Sequence, residues 1–167
     1  MAARPEAMIA RLESLETGVT PPEACLRLPA FIPFRLNRLA AAVSEHLSEV
    51  YRQRFGLEIP EWRVIVTVAP NFGCTAQHVA DSTRMHKTRV SRAIASLERR
   101  QLIERSSCAN DRREMLLQLT QAGRAMYQEL VPLALERERA LLACLTDAQR
   151  AALAEGLQCL EEFLGVT

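Results

Sequence analysis

Residues 86–100 constrain this chain more than any other stretch, because they read as a helix with one apolar side and one small, basic side. At ~100° per residue with Val90 at zero, Ile94 and Leu97 fall within about 40° of it and form an inward stripe. Thr88, Arg92, Ala95 and Arg99 lie within about 40° of the opposite pole, with Ser91 and Arg89 beside them. A helix that enters the major groove of DNA needs such a face. Short residues let its backbone come close, and Arg, Ser or Thr near its N-terminal half reach base edges and phosphates. Its first amides also favour a phosphate.

An arginine-rich amphipathic helix on its own is more often a solvated surface, so its neighbours have to decide. Thr75 can cap a short helix through Ala80, and residues 81–85 read as a turn before the basic helix. After it, Leu102-Ile103 reads as a strand edge and residues 106–111 as a polar loop. Met115, Leu117 and Leu119 then alternate as a second strand, with Leu116 blurring the pattern. The expected hairpin carries Asp111-Arg112-Arg113 at its tip, where an Arg can enter the minor groove. Residues 75–113 hold nine Lys or Arg against four Asp or Glu, whereas the whole chain is only +1. A basic middle between acidic flanks suits local attraction to phosphates.

The flanks read as helices. Between residues 33 and 55, Phe34, Leu36, Leu39, Ala40, Val43, Leu47, Val50 and Tyr51 recur at helical spacing, and Gly56 is a suitable stop. Pro60 in a first turn, followed by Trp62, Val64, Ile65, Val66 and Val68, predicts a second helix ending at Pro70, with strand as the alternative its β-branched content allows. Thr120 predicts the start of a long helix over 121–145 in which Pro132 removes a backbone donor. Thr146 with Gln149 predicts a capping box opening a last helix to Leu164. Residues 1–28 read as an arm, with a short helix over 6–15 and then Gly18 and Pro21-Pro22.

Composition excludes several classes. At 49% hydrophobic and 25% charged, the chain falls among globular proteins. The longest apolar stretches, residues 39–43 and 64–68, are far too short for a bilayer, and the first residues lack a signal-peptide core, so a cytoplasmic protein is expected. Five cysteines at irregular spacings argue for reduced thiols, and without a C-x-x-C pair or adjacent histidine no metal or cofactor is expected. The sequence holds no G-x-S-x-G, glycine-rich phosphate loop or H-E-x-x-H, and an enzyme is not expected.

From about residue 28 to residue 164 the chain resembles the MarR family of bacterial regulators. The resemblance rests on Ile59-Pro60-Glu61-Trp62-Arg63-Val64 and on Lys87-Thr88-Arg89-Val90-Ser91-Arg92 running into Leu97-Glu98-Arg99-Arg100-Gln101-Leu102-Ile103. It continues with Asn110-Asp111-Arg112-Arg113 and Leu119-Thr120-Gln121-Ala122-Gly123-Arg124. It implies a mainly α fold with a small β-hairpin wing, a winged helix-turn-helix lobe with N- and C-terminal dimerisation helices. The boundaries expected are an arm over 1–30, a dimerisation helix over 31–57, the DNA-binding lobe over 58–120 and further dimerisation helices over 121–167. It implies contacts to duplex DNA from Thr75, His86, Lys87, Thr88, Arg89, Ser91, Arg92, Asp111, Arg112 and Arg113, with Arg112 as the minor-groove finger and Asp111 steadying the wing through a neighbouring Arg. The position of His86 is commonly Asp in the family. A His there weakens capping and is free to contact phosphate, or is simply an exposed loop residue. Leu141, Leu142, Leu145, Leu153, Leu157, Leu160, Phe163 and Leu164 exceed what one small domain buries, which agrees with a homodimer on a pseudo-palindromic site.

The resemblance also implies an effector, often an aromatic carboxylate, that releases the DNA. The strings Phe34-Arg35-Leu36-Asn37-Arg38 and Glu61-Trp62-Arg63 set cations beside aromatics, so Phe31, Phe34, Arg35, Arg38, His46, Trp62 and Arg63 are expected to bind a small aromatic acid or its thioester. The alternative for Phe34 and Trp62 is core packing, with the arginines in surface or interface pairs. A redox sensor is the other functional reading. Cys25 would be its thiol, yet only Arg27 lies near it in sequence, so nothing evident activates the thiolate.

Overall fold

The computed structural model describes residues 26–71, 73–107 and 115–166. The chain divides into two packed units, Met1–Leu39 and Ala40–Thr167. In the first, a 3₁₀ turn Leu28–Ala30 leads into the start of helix α1, Ile32–Phe55, and the Arg38 guanidinium lies 5.8 Å from the centre of the Phe34 ring. The remainder of α1 belongs to the second unit.

There the chain runs through α2 (Ile59–Val68), β1 (Cys74–Thr75), α3 (Ala76–Thr83), α4 (Lys87–Arg99), β2 (Ile103–Ser107), β3 (Met115–Leu119), α5 (Gln121–Leu142) and α6 (Asp147–Leu164). The β-branched run at 64–68 is helical, not extended. Pro60 sits in the first turn, and the Glu58 backbone N–H donates to Glu61 Oε2 at 2.8 Å in a reciprocal capping box. The buried positions Glu61, Val64, Ile65 and Val68 then follow helical spacing.

Three expectations change. Residues 81–83 continue α3 instead of turning, held by Gln77 donating to Asp81 at 2.7 Å and Thr83 to the Val79 carbonyl at 2.6 Å; the break comes at Arg84, left-handed at φ 53°. The hairpin gains a third strand, in the order β1-β3-β2, with Cys74 opposite Leu117 and Ile103 opposite Leu119. Finally, α5 ends at Leu142, and Pro132 lies within it. Thr120 and Thr146 cap α5 and α6 as their sequences predict.

The core of this unit gathers Leu57, Val64, Ile65 and Val68 with Val79, Val90, Ile94 and Leu97, and closes on Ile103, Leu117, Leu119 and Leu130. Helices α2, α3 and α4 thus share one apolar centre with the sheet, which fixes α4 by its inner stripe and leaves its outer face in solvent. The α5 start is bound to the end of this lobe. Thr120 donates from N–H to the Leu102 carbonyl at 3.1 Å and from Oγ1 to the Gln101 carbonyl at 2.7 Å, and a Cβ on Gly123 would lie 1.9 Å from Leu102 O. Only glycine permits that approach. Among the described residues no helix is long and apolar enough to cross a membrane.

Candidate nucleic-acid interface and effector cavity

Two capped helix starts and one left-handed turn set the outward face of α4. Thr75 Oγ1 accepts the His78 N–H at 3.1 Å and opens α3. Arg84 turns the chain, and His86 Nδ1 accepts the Thr88 N–H at 3.2 Å and opens α4. His86 thus supplies the α4 N-cap, through an imidazole whose Nδ1 is unprotonated. In that neutral tautomer the proton is on Nε2.

Along α4, Val90, Ala93, Ile94 and Leu97 are buried, whereas Lys87, Thr88, Arg89, Ser91, Arg92, Ala95 and Arg99 are exposed. The structure thus brings six of the ten expected DNA contacts, His86 to Arg92 without Val90, onto one exposed surface. Thr75 is half-buried at the head of α3. Asp111, Arg112 and Arg113 lie outside the described residues.

The basic excess counted along the sequence is divided by the fold. Arg100 donates to the carbonyls of Phe55 at 2.6 Å and Gly56 at 3.0 Å, closing the end of α1. Arg105 makes a fork to Glu98, Nε to Oε1 at 2.7 Å and Nη2 to Oε2 at 3.3 Å. Arg84 reaches the Gly165 carbonyl at 3.3 Å. Lys87, Arg89 and Arg92 make no salt bridge among the described residues, so their charge faces solvent uncompensated by a contacting acid. Sequence spacing alone does not separate these two sets, since Glu98 and Arg105 meet only once α4 and β2 are packed.

This arrangement has known counterparts. The MarR family model matches residues 55–114, which span α2, the helix pair and β2. A MarR/EmrR family transcriptional regulator from Acinetobacter sp. ADP1 superposes with a TM-score of 0.76 at 27% identity, covering 85% of this chain and 100% of that one. The chain resembles the MarR family in sequence over residues 55–114 and in fold over most of its length. Its fold is the winged helix-turn-helix of MarR-family transcriptional regulators.

Two more distant MarR-like structures share the fold. BpsR of Bordetella bronchiseptica, whose DNA binding is regulated by 6-hydroxynicotinic acid, gives a TM-score of 0.71 at 23% identity, over 82% of this chain and 98% of its own. CouR from Rhodococcus jostii RHA1, bound to p-coumaroyl-CoA, gives 0.69 at 21%, over 81% and 95%. No curated protein sequence matches the chain.

Between α1, α2 and α5 lies a cavity of about 270 Å³. Leu47 and Tyr51 of α1, Trp62 of α2, and Val131, Ala134, Leu135 and Glu138 of α5 line it. Tyr51 and Trp62 stack with ring centroids 5.2 Å apart and planes 12° from parallel. Burial pushes the Tyr51 phenol above its ordinary value, against the opposing charges of Arg63 and Arg52. Of the seven residues expected around an effector, Trp62 lines this cavity. Arg63 is half-buried on the same helix outside the lining. His46 instead borders a separate polar concavity with Glu45, Glu49, Arg52 and Gln53. Phe31, Phe34, Arg35 and Arg38 belong to the first unit, where Phe34 is half-buried and the others are exposed. The α5 face was open to sequence reasoning, since residues 131, 134, 135 and 138 recur at helical spacing.

Among the described cysteines, Cys74 is buried, and burial raises its thiol, whereas Cys144 and Cys159 are exposed. Cys25 lies outside the described residues.

Proposed function

We propose that this chain is a ligand-responsive repressor that binds a pseudo-palindromic operator as a homodimer and leaves it when a small aromatic acid or its thioester binds. The observation that carries the reading is the outer face of α4: small residues interleaved with Lys87, Arg89 and Arg92, all exposed and without a salt bridge among the described residues. Such a face allows close backbone approach and supplies cations for phosphates and base edges. His86, Thr88 and Ser91 add donors to it. Thr75 anchors the helix behind it, and Asp111, Arg112 and Arg113 are assigned to the wing by family resemblance. The DNA-binding lobe is taken as residues 58–120, with dimerisation through 31–57 and 121–167.

The effector site proposed is the cavity between α1, α2 and α5. Its aromatic wall supports a flat ring as ligand, and the ligands of BpsR and CouR are an aromatic acid and an aromatic thioester. Its position between α1, which the proposal assigns to the dimer, and α2 of the reading lobe supplies a route from ligand to DNA.

The test is an electrophoretic shift on DNA selected by the protein itself, repeated with aromatic acids, their thioesters and peroxide. Release by the aromatic compounds is expected. Release by peroxide alone, abolished by Cys25→Ser, would replace ligand sensing with thiol sensing.

A further inference from the structure

We infer that the cavity between α1, α2 and α5 selects its aromatic effector in an uncharged form, as a thioester, ester or amide, over the free carboxylate, and that Glu138 is the residue enforcing the choice. The inference rests on the effector reading above and deepens it.

Three observations point the same way. Among the described residues the lining is apolar apart from the Tyr51 phenol, the Trp62 indole and Glu138, and it holds no Lys, Arg or His. Moving an ionised carboxylate into such a wall strips its water without supplying a counter-charge, whereas a thioester or amide carbonyl has far less hydration to lose. Secondly, the charge that is present has the wrong sign for an acid. Glu138 is exposed and has no ion pair among the described residues, so no contacting cation offsets its charge at the mouth of the cavity and solvent alone screens it. Arg52 and Arg63, whose charges reach the Tyr51 phenol, do not line the cavity: Arg52 is engaged by Glu45 at 3.1 Å and Glu58 at 3.5 Å, and Arg63 stands outside the lining. Thirdly, about 270 Å³ lies just under the usual range of small-molecule sites. That space suits one ring with its carbonyl, leaving any larger carrier group outside. An acyl derivative is the form of an aromatic acid that has both a neutral carbonyl and such a carrier.

The experiment uses the full chain and its single tryptophan, Trp62, as the reporter. Fluorescence is titrated at neutral pH with benzoate, benzamide and the N-acetylcysteamine thioester of benzoic acid, for the native protein, Glu138→Gln and Arg63→Gln. For the native protein the two neutral ligands should bind about tenfold tighter than benzoate, or more, given an unpaired charge set against an apolar wall. In Glu138→Gln the gap should narrow by roughly threefold or more through tighter benzoate binding, because one repulsive charge is gone. Benzamide should still bind this variant and so report that the cavity is intact. Arg63→Gln should leave the benzoate value where it was. Benzoate binding as tightly as benzamide, a gap indifferent to Glu138→Gln, or a loss of benzoate binding in Arg63→Gln would each overturn the inference while leaving the effector cavity standing. If none of the three ligands perturbs Trp62 or releases bound DNA, the effector reading fails and this inference with it.

Discussion

Arg92 and Arg105 are both exposed arginines, yet their surroundings give them different roles. Arg92 lies on the outer face of α4 without a salt bridge, whereas Arg105 is forked onto Glu98. Arg92→Ala should weaken operator binding by about 1–3 kcal/mol with the fold unchanged. Removing the pair together, Arg105→Ala with Glu98→Ala, should change affinity by less than about threefold, since the net charge it presents to DNA is near zero before and after. Fluorescence anisotropy on one operator at fixed salt compares the two. Equal losses would mean that α4 acts only as part of a diffuse positive surface. His86 shows where single-residue reading stops. Asp is the residue the family resemblance implies there and a neutral imidazole brings no negative charge to the helix start, yet its Nδ1 accepts the Thr88 N–H at 3.2 Å. Which ring nitrogen accepts is decided by local geometry that a residue name does not carry.

At the level of elements, periodicity made most of the second unit legible. The inward stripe Val90, Ile94 and Leu97 is buried, the α2 helix is fixed by Pro60 and Glu61, and the threonine caps at 120 and 146 stand where predicted. Strand β1 was not legible, because a two-residue strand has no period of its own and exists only by pairing with β3. The α3 extension through Thr83 escaped for a related reason: its polar residues bond within the helix, and the same residue types also favour turns. The junction of β3 and α5 makes a sharper demand. Gly123→Ala sets a Cβ 1.9 Å from the Leu102 carbonyl oxygen, so either α5 or the end of the α4–β2 turn has to shift. The expected cost is about 1–3 kcal/mol, as for other overpacked sites. It should appear as a lower denaturant midpoint at constant slope, and an unchanged midpoint would mean the junction is looser than described.

For the whole molecule the informative feature is α6, none of whose residues is buried. Leu153, Leu157, Leu160 and Leu164 recur at spacings of four, three and four, and each is more than 40% exposed. That is the seam of a helix that packs on another helix. The chain of 18.7 kDa should therefore sediment at twice that mass, and Leu157→Glu with Leu160→Glu should shift it towards the monomer and weaken operator binding together. A native protein that stays monomeric at micromolar concentration would remove the dimer from the account. The central claim, that α4 reads DNA sequence from two copies of this chain, is tested most directly by sequencing the genomic DNA that the purified protein retains. The account predicts a shared pseudo-palindrome with half-sites about 10 base pairs apart, centre to centre, and loss of that enrichment for Arg92→Ala. Retained fragments with no common motif, or the same motif for Arg92→Ala, would contradict it.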